Sequence, residues 1–338
     1  MKAFRLSSFC LSTVLRRVVP TVLPTLAWAL AVGCSSTPTP EAPASPSPSE
    51  LLADDGDSSS FDAGVSAIGA GKFEDARRTF SEIVADQPGN AQAHFYLGVA
   101  QQNLGHDPEA IVSYEKALDL DPKLTEASIN LTAALLDAGE AARALPMIER
   151  ALGSNPGHAG LLYNRALALS AAGQDTAAVA AYRDALAADP ANAEIKYGYA
   201  EALVAAGSTS EATKQLEQLG QSDSVDVLAS TARLLGRLKQ FDSCIKALTR
   251  ALEKQASAEL YVARGLCQHG KKNDTAAFDD FQRGVQRDAQ YAPAHYYAGM
   301  HLKTQGKKPE ARAALTRAAE IAGDEGVGKA AKRALEGL

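Results

Sequence analysis

AQAHFYLGVAQQNLGHDPEAIVSYEKALDLDPKL, residues 91–124, decides the fold. It reads as two short helices. The first carries Phe95, Leu97, Val99 and Ala100 and stops near Gly105. Asp107 is placed to cap the second, and Pro108 suits a first turn, where a missing N–H costs nothing. Ala110, Ile111, Tyr114, Ala117 and Leu118 then fall on one helical face. Asp121-Pro122 ends the pair, because proline cannot continue a helix and biases the residue before it away from helical angles.

The pair recurs. Pro88, Pro122, Pro156 and Pro190 stand 34 residues apart, as do Gly71, Gly105, Gly139 and Gly173. Ala76, Ala110, Ala144 and Ala178 form a column of small residues, where anything larger would force crossing helices apart. Phe80, Tyr114, Ile148 and Tyr182 form a column of large ones four places later. A helix–turn–helix period of 34 resembles the tetratricopeptide repeat family. The resemblance covers residues 57–325 and implies an all-α, right-handed superhelical solenoid of about eight units. These begin near Asp57, Ala91, Thr125, Ala159, Ala193, Val225, Ala258 and Ala292. Gly220 to Ser224 replace the expected proline turn, and the fifth and sixth units are slightly short. Residues 326–338 read as a capping helix: Val327, Ala331, Ala334 and Leu335 form an apolar stripe backed by Lys329, Lys332, Arg333 and Glu336.

Residues 1–33 resemble a lipoprotein signal peptide, with Lys2, Arg5, Arg16 and Arg17 ahead of an apolar run from Val18 to Val32. That run is short and broken by Pro20 and Pro24, which argues against a membrane-spanning helix. Ala31-Val32-Gly33-Cys34 resembles a bacterial lipobox, which implies that Cys34 is lipidated, with palmitate among its acyl chains. Residues 34–56, rich in proline and serine, cannot bury a core and read as a disordered tether, roughly 60–70 Å long if extended. No aspartate follows Cys34; by resemblance to enteric lipoproteins, that implies the outer membrane, facing the periplasm. Removing residues 1–33 takes four positive charges and no negative ones, so the net charge falls from −6 to −10. Such an acidic solenoid is a poor nucleic-acid binder.

The chain is 46% hydrophobic but only 6% aromatic, which suits closely packed alanine-rich helices. Glycine-rich phosphate loops, HExxH and paired CxxC motifs are absent. His295 and His301 lie six apart, off the spacing that places two ligands on one helical face. The carboxylates read as solvated. Neither an active site, a metal nor a cofactor is expected. Cys244 falls in the small column and Cys267 on the next first helix; a disulfide between them is permitted but not required.

In the family, the first helix of each pair lines the concave face. The corresponding column here is Phe61, Phe95, Ile129, Tyr163, Tyr197, Ala229, Val262 and Tyr296, five of them aromatic. Asn130 and Asn164 follow one residue on, in a column that in this family often meets peptide backbone. The resemblance therefore implies a groove for a peptide or helix segment of a protein partner, with Phe61, Phe95, Asn130, Tyr163, Asn164, Tyr197 and Tyr296 as contacts. Half-buried helix packing explains the same rings equally well. The expected function is a protein–protein adaptor or assembly factor anchored in the bacterial envelope. The alternative is a small-ligand or glycan-binding subunit of an envelope complex, which would need convergent polar groups in a deep cavity.

Overall fold

Each turn between paired helices needs a residue in the left-handed region, and the sequence supplies it at matching positions. Gly71, Gly105, Gly139, Gly173, Gly207 and Gly306 adopt φ of +70 to +81°, where glycine has no steric penalty. Lys239 and Lys272 take the same conformation, at φ of 59° and 65°, in the sixth and seventh pairs. The computed structural model that shows this describes residues 55–324 and 326–338; the signal-like segment, Cys34 and nearly all of the tether lie outside them. Seventeen helices are described, stacked in adjacent pairs with one terminal helix, and none is long and apolar enough to cross a membrane.

The chain forms two compact units, divided between Asp189 and Pro190. The first holds α1 (Asp55–Gly69), α2 (Phe73–Asp86), α3 (Ala91–Asn103), α4 (Asp107–Leu120), α5 (Thr125–Asp137), α6 (Ala141–Ser154), α7 (Ala159–Ala171) and α8 (Asp175–Ala188). The second holds α9 (Ala193–Ala205), α10 (Thr209–Leu219), α11 (Val225–Arg237), α12 (Phe241–Lys254), α13 (Ala258–Gly270), α14 (Asp274–Arg287), α15 (Ala292–Thr304), α16 (Lys308–Ala322) and α17 (Gly326–Glu336). Seven of the eight expected first-helix starts coincide with observed ones; α1 starts at Asp55 rather than Asp57.

The columns have a packing cause. Tyr114, Phe80 and Ile148 are fully buried and Tyr182 nearly so, and Ala76, Ala110, Ala144 and Ala178 are 0% exposed. A Cβ built on Gly98 would lie 2.6 Å from the Tyr114 ring, and one on Gly265 would lie 2.5 Å from Phe281. Glycine in the first helix thus makes room for the large residue of the second. Tyr114 donates its hydroxyl to Gln102 Oε1 at 2.8 Å, and burial pushes its pKa up from the ordinary tyrosine value.

Helix ends follow local chemistry, with one correction. Asn90, Asn192, Ser224 and Ser257 accept backbone N–H bonds at the starts of α3, α9, α11 and α13. Asp107 does not cap α4; the positive-φ turn at Gly105 makes His106 the boundary residue, and Asp107 is the first helical one. There its carboxylate still favours the helix N-terminus. Helix α10 has 11 residues against 14 in α2, α4, α6 and α8. The loop after it, which lacks the proline turn, is tied down by α12. Arg250 Nε donates to the Ser222 carbonyl at 3.0 Å, and Lys254 Nζ pairs with Asp223 at 2.7 Å. The terminal helix α17 buries Ala331 against Leu315, Ala318 and Ala319 of α16.

Candidate functional site

In the first unit, the column expected to line a groove lies at the margin of the core. Phe61 is half-buried, edge-on to Phe80 and Tyr96 at ring separations of 5.4 and 5.5 Å. Phe95 is half-buried against Tyr96 and Tyr114, and Tyr163 against Tyr182 at 6.1 Å. Each ring keeps part of its surface open. With Ile129 and the half-buried Val65 and Leu167, they make a largely apolar face on the first helices.

The next column behaves differently: its side chains turn back onto the preceding pair. Tyr96 stacks on Phe80 at 5.3 Å, and in the second unit Tyr297 stacks on Phe281 at 5.5 Å. Asn130 Nδ2 donates to the Tyr114 hydroxyl at 3.4 Å. Asn164 is 2% exposed and donates to the Ile129 carbonyl at 3.0 Å and to Thr132 Oγ1 at 2.9 Å. Its amide is spent fastening one pair to the next, so Asn164 takes no part in a groove. Tyr96 and Thr132 were missed by sequence reasoning. The signal that could have found Tyr96 was its place in the asparagine column.

In the second unit, Tyr197 is half-buried and gives its hydroxyl to Glu201, one turn on. Glu201 is open to solvent, yet the protein packed around it pushes its carboxyl up from the ordinary value. Tyr197's hydrogen bond and the charges of Arg237 and Arg233 pull the other way. Tyr296 is half-buried, edge-on to Tyr297 at 5.1 Å, and packs with Met300 on the core of α16 and α17. Ala229 and Val262 complete this part of the column, Val262 at 4% exposure. The seven expected contacts thus divide between the two units. Phe61, Phe95, Asn130, Tyr163 and Asn164 lie in the first, and Tyr197 and Tyr296 in the second.

One carboxylate departs from the solvated reading. Asp280 on α14 is 3% exposed. Arg264 of α13 grips it with two bonds, Nη2 to Oδ1 at 2.7 Å and Nε to Oδ2 at 2.9 Å, and donates to Thr249 Oγ1 at 3.1 Å. The bond to Asp280 pushes the Arg264 pKa further up. This two-pronged geometry suits guanidinium and carboxylate, and here it holds α12, α13 and α14 together. Cys244 and Cys267 are joined in a disulfide between α12 and α13, their Cα atoms 6.3 Å apart. Among the described residues, no cluster of three or more histidines, cysteines or carboxylates could hold a metal ion. Two open surface hollows, one around Glu74 and Arg77 and one around Thr209 and Gln240, include none of the column residues.

The architecture is that of a helix-pair repeat scaffold, a class that generally mediates contact between proteins and is typically non-catalytic. Tetratricopeptide repeat profiles match residues 61–124, 133–193 and 230–293, and a second such profile matches 169–232. With more than half of its length matched, the chain belongs to the tetratricopeptide repeat family. The crystal structure of yeast Tom70 is similar at 15% identity and a TM-score of 0.55, covering 84% of this chain and 64% of that one. MamA from Desulfovibrio magneticus RS-1 matches at 22% identity and a TM-score of 0.46, covering 49% of this chain and 94% of that one. A tetratricopeptide repeat protein from Parabacteroides merdae matches at 17% and 0.46, covering 84% and 98%. At these identities the likeness to Tom70 is one of fold alone. Comparison with curated proteins found no match.

Proposed function

We propose that the chain is an envelope-anchored lipoprotein whose repeats act as a protein–protein adaptor or assembly factor, taking up a peptide segment of a partner. The observation that carries this reading is the set of half-buried rings on first helices: Phe61, Phe95 and Tyr163 in one unit, Tyr197 and Tyr296 in the other. Rigid aromatic side chains with one face on the core and one edge open are what interface anchors require. Tyr163 and Tyr197 are the members we rank first.

The anchoring half rests on residues 1–33, on Cys34 in its lipobox-like setting, and on the proline-rich tether to residue 56. The Cys244–Cys267 disulfide supports it, because such bonds persist in oxidising compartments such as the bacterial periplasm. We place the chain on the outer membrane, facing the periplasm. One acyl chain binds a bilayer only marginally, so firm anchoring calls for more than one chain on Cys34.

Two measurements test the reading. Metabolic labelling with a palmitate analogue marks the wild type and not Cys34→Ala; equal label on both removes the anchor. Cross-linked capture of partners from membranes is lost in Tyr163→Ala/Tyr197→Ala, with helicity and melting temperature retained. Retained capture on a retained fold refutes the groove.

A further inference from the structure

The last residues are charged unlike the rest of the chain. Residues 301–338 hold eight lysines and arginines against five aspartates and glutamates, a net of +3. Residues 34–300 hold 22 against 35, a net of −13. Some of the eight cations serve the fold. Lys303 Nζ donates to the Ala334 carbonyl at 2.7 Å and Lys308 Nζ to the Leu338 carbonyl at 3.3 Å, which fastens the last turn of α17 to α15 and α16. Arg317 pairs with Glu320 at 3.3 Å. Lys329, Lys332 and Arg333 are spaced to share one face of α17, all three exposed, with Glu336 at its C-terminal edge. The opposite face buries Gly328 and Ala331 and packs Ala334 and Leu335 on the core of α16. Lys332 meets Asp324 at 2.5 Å in a surface pair, which is worth little. Lys329 and Arg333 have no ion-pair partner among the described residues, nor have the exposed Lys307 and Arg312 at the start of α16, where Lys308 meets Leu338. Neither surface hollow includes this patch, and the exposed large apolar side chains Val112, Leu120 and Leu266 lie elsewhere.

We propose that Lys329, Lys332 and Arg333, with Lys307 and Arg312 beside them, rest on the anionic phospholipid headgroups of the membrane that holds Cys34. The proposal rests on the anchoring reading and adds to it a second contact, which fixes the end of the second unit that meets the bilayer. The outer face of one helix, set with long basic side chains and no apolar anchor, lacks what a peptide segment needs to dock. It suits a broad array of negative headgroups, which draw each nearby lysine or arginine within about a Debye length of the surface. The acidic remainder of the chain is repelled by the same surface, so the field turns the basic end toward it. A few cations hold a free protein weakly, but a chain tethered through Cys34 meets the bilayer at high effective concentration.

The test uses the full chain purified from membranes and placed in vesicles of phosphatidylcholine, with or without phosphatidylglycerol. Lysines are acetylated in brief pulses and mapped by mass spectrometry. Lys329 and Lys332 react several-fold more slowly when phosphatidylglycerol is present, and added salt restores their rate. Lys116, exposed on α4, reacts alike in both vesicles and serves as the reference. In Lys329→Gln/Arg333→Gln, Lys332 is the reporter. Each cation removed weakens the contact about fivefold, so its protection is lost. The melting temperature of that variant stays at the wild-type value, because both side chains are exposed and hold no ion pair. The proposal is overturned if Lys329 reacts equally in the two vesicles, or if Lys116 is protected as strongly. It is also overturned if protection follows the number of chains per vesicle and not the lipid charge, which makes the patch a contact between copies. The two readings fail separately. Palmitate label on Cys34 without lysine protection sinks only this proposal. Lysine protection in a chain whose Cys34 carries no label sinks only the anchor.

Discussion

Replacing Arg264 with methionine tests how the second unit is held together. The substitution keeps the length of the side-chain stem and removes the fork that grips Asp280 through bonds of 2.7 and 2.9 Å. The carboxylate stays behind in a site where its side chain is 4% exposed. Breaking a buried pair in this way costs about 3–5 kcal/mol, because the remaining charge is neither solvated nor paired. Urea unfolding followed by circular dichroism reads the loss, and hydrogen exchange places it in α13 and α14. Arg264→Met/Asp280→Leu recovers most of the stability, since neither charge then remains. A loss under about 1 kcal/mol for the single change, or a double variant as damaged as the sum of the two singles, refutes the reasoning.

Four further outcomes are expected. Gly98→Ala brings a methyl to 2.6 Å from a Tyr114 ring that is fully buried and tied to Gln102, so overpacking outweighs the gain in helix propensity and the chain loses about 1–2 kcal/mol. Gly153→Ala, also in a helix but with nothing within 4 Å, gains up to about 1 kcal/mol in the same melting assay, and equal effects at the two sites would dismiss the packing account. Lys239→Gly places glycine at a φ of 59° that the other turns fill with glycine, and it raises stability by about 0.5–1 kcal/mol in chemical unfolding. Cleaving the Cys244–Cys267 bond with a reductant lowers stability by about 3 kcal/mol, and Cys244→Ala/Cys267→Ala becomes insensitive to reductant; an unchanged wild type shows the link to be dispensable.

The sequence alone determined the helix pairs and their period. Glycine at a left-handed turn, alanine at a crossing and a large ring four residues later are local demands of one repeat, so they recur at 34 and can be counted without coordinates. The half-buried state of Phe95, Tyr163 and Tyr197 was also within reach, because a helix's periodicity tells which side chains share a face. Periodicity does not tell what lies across from that face. The asparagine column implies a peptide contact for Asn164, whereas its amide reaches Thr132, 32 residues back, because neighbouring pairs pack closely enough to bring that side chain inside. Carboxylates on these helices are expected at solvated positions, yet Arg264, 16 residues away on the partner helix, draws Asp280 into the core. Cys244 and Cys267 could each be explained by packing or by a bond, and only the approach of α12 to α13 chose between them. In each case the tertiary structure decided, because burial and pairing depend on the distance between helices, and that distance is set by every side chain at the crossing rather than by the residue in question.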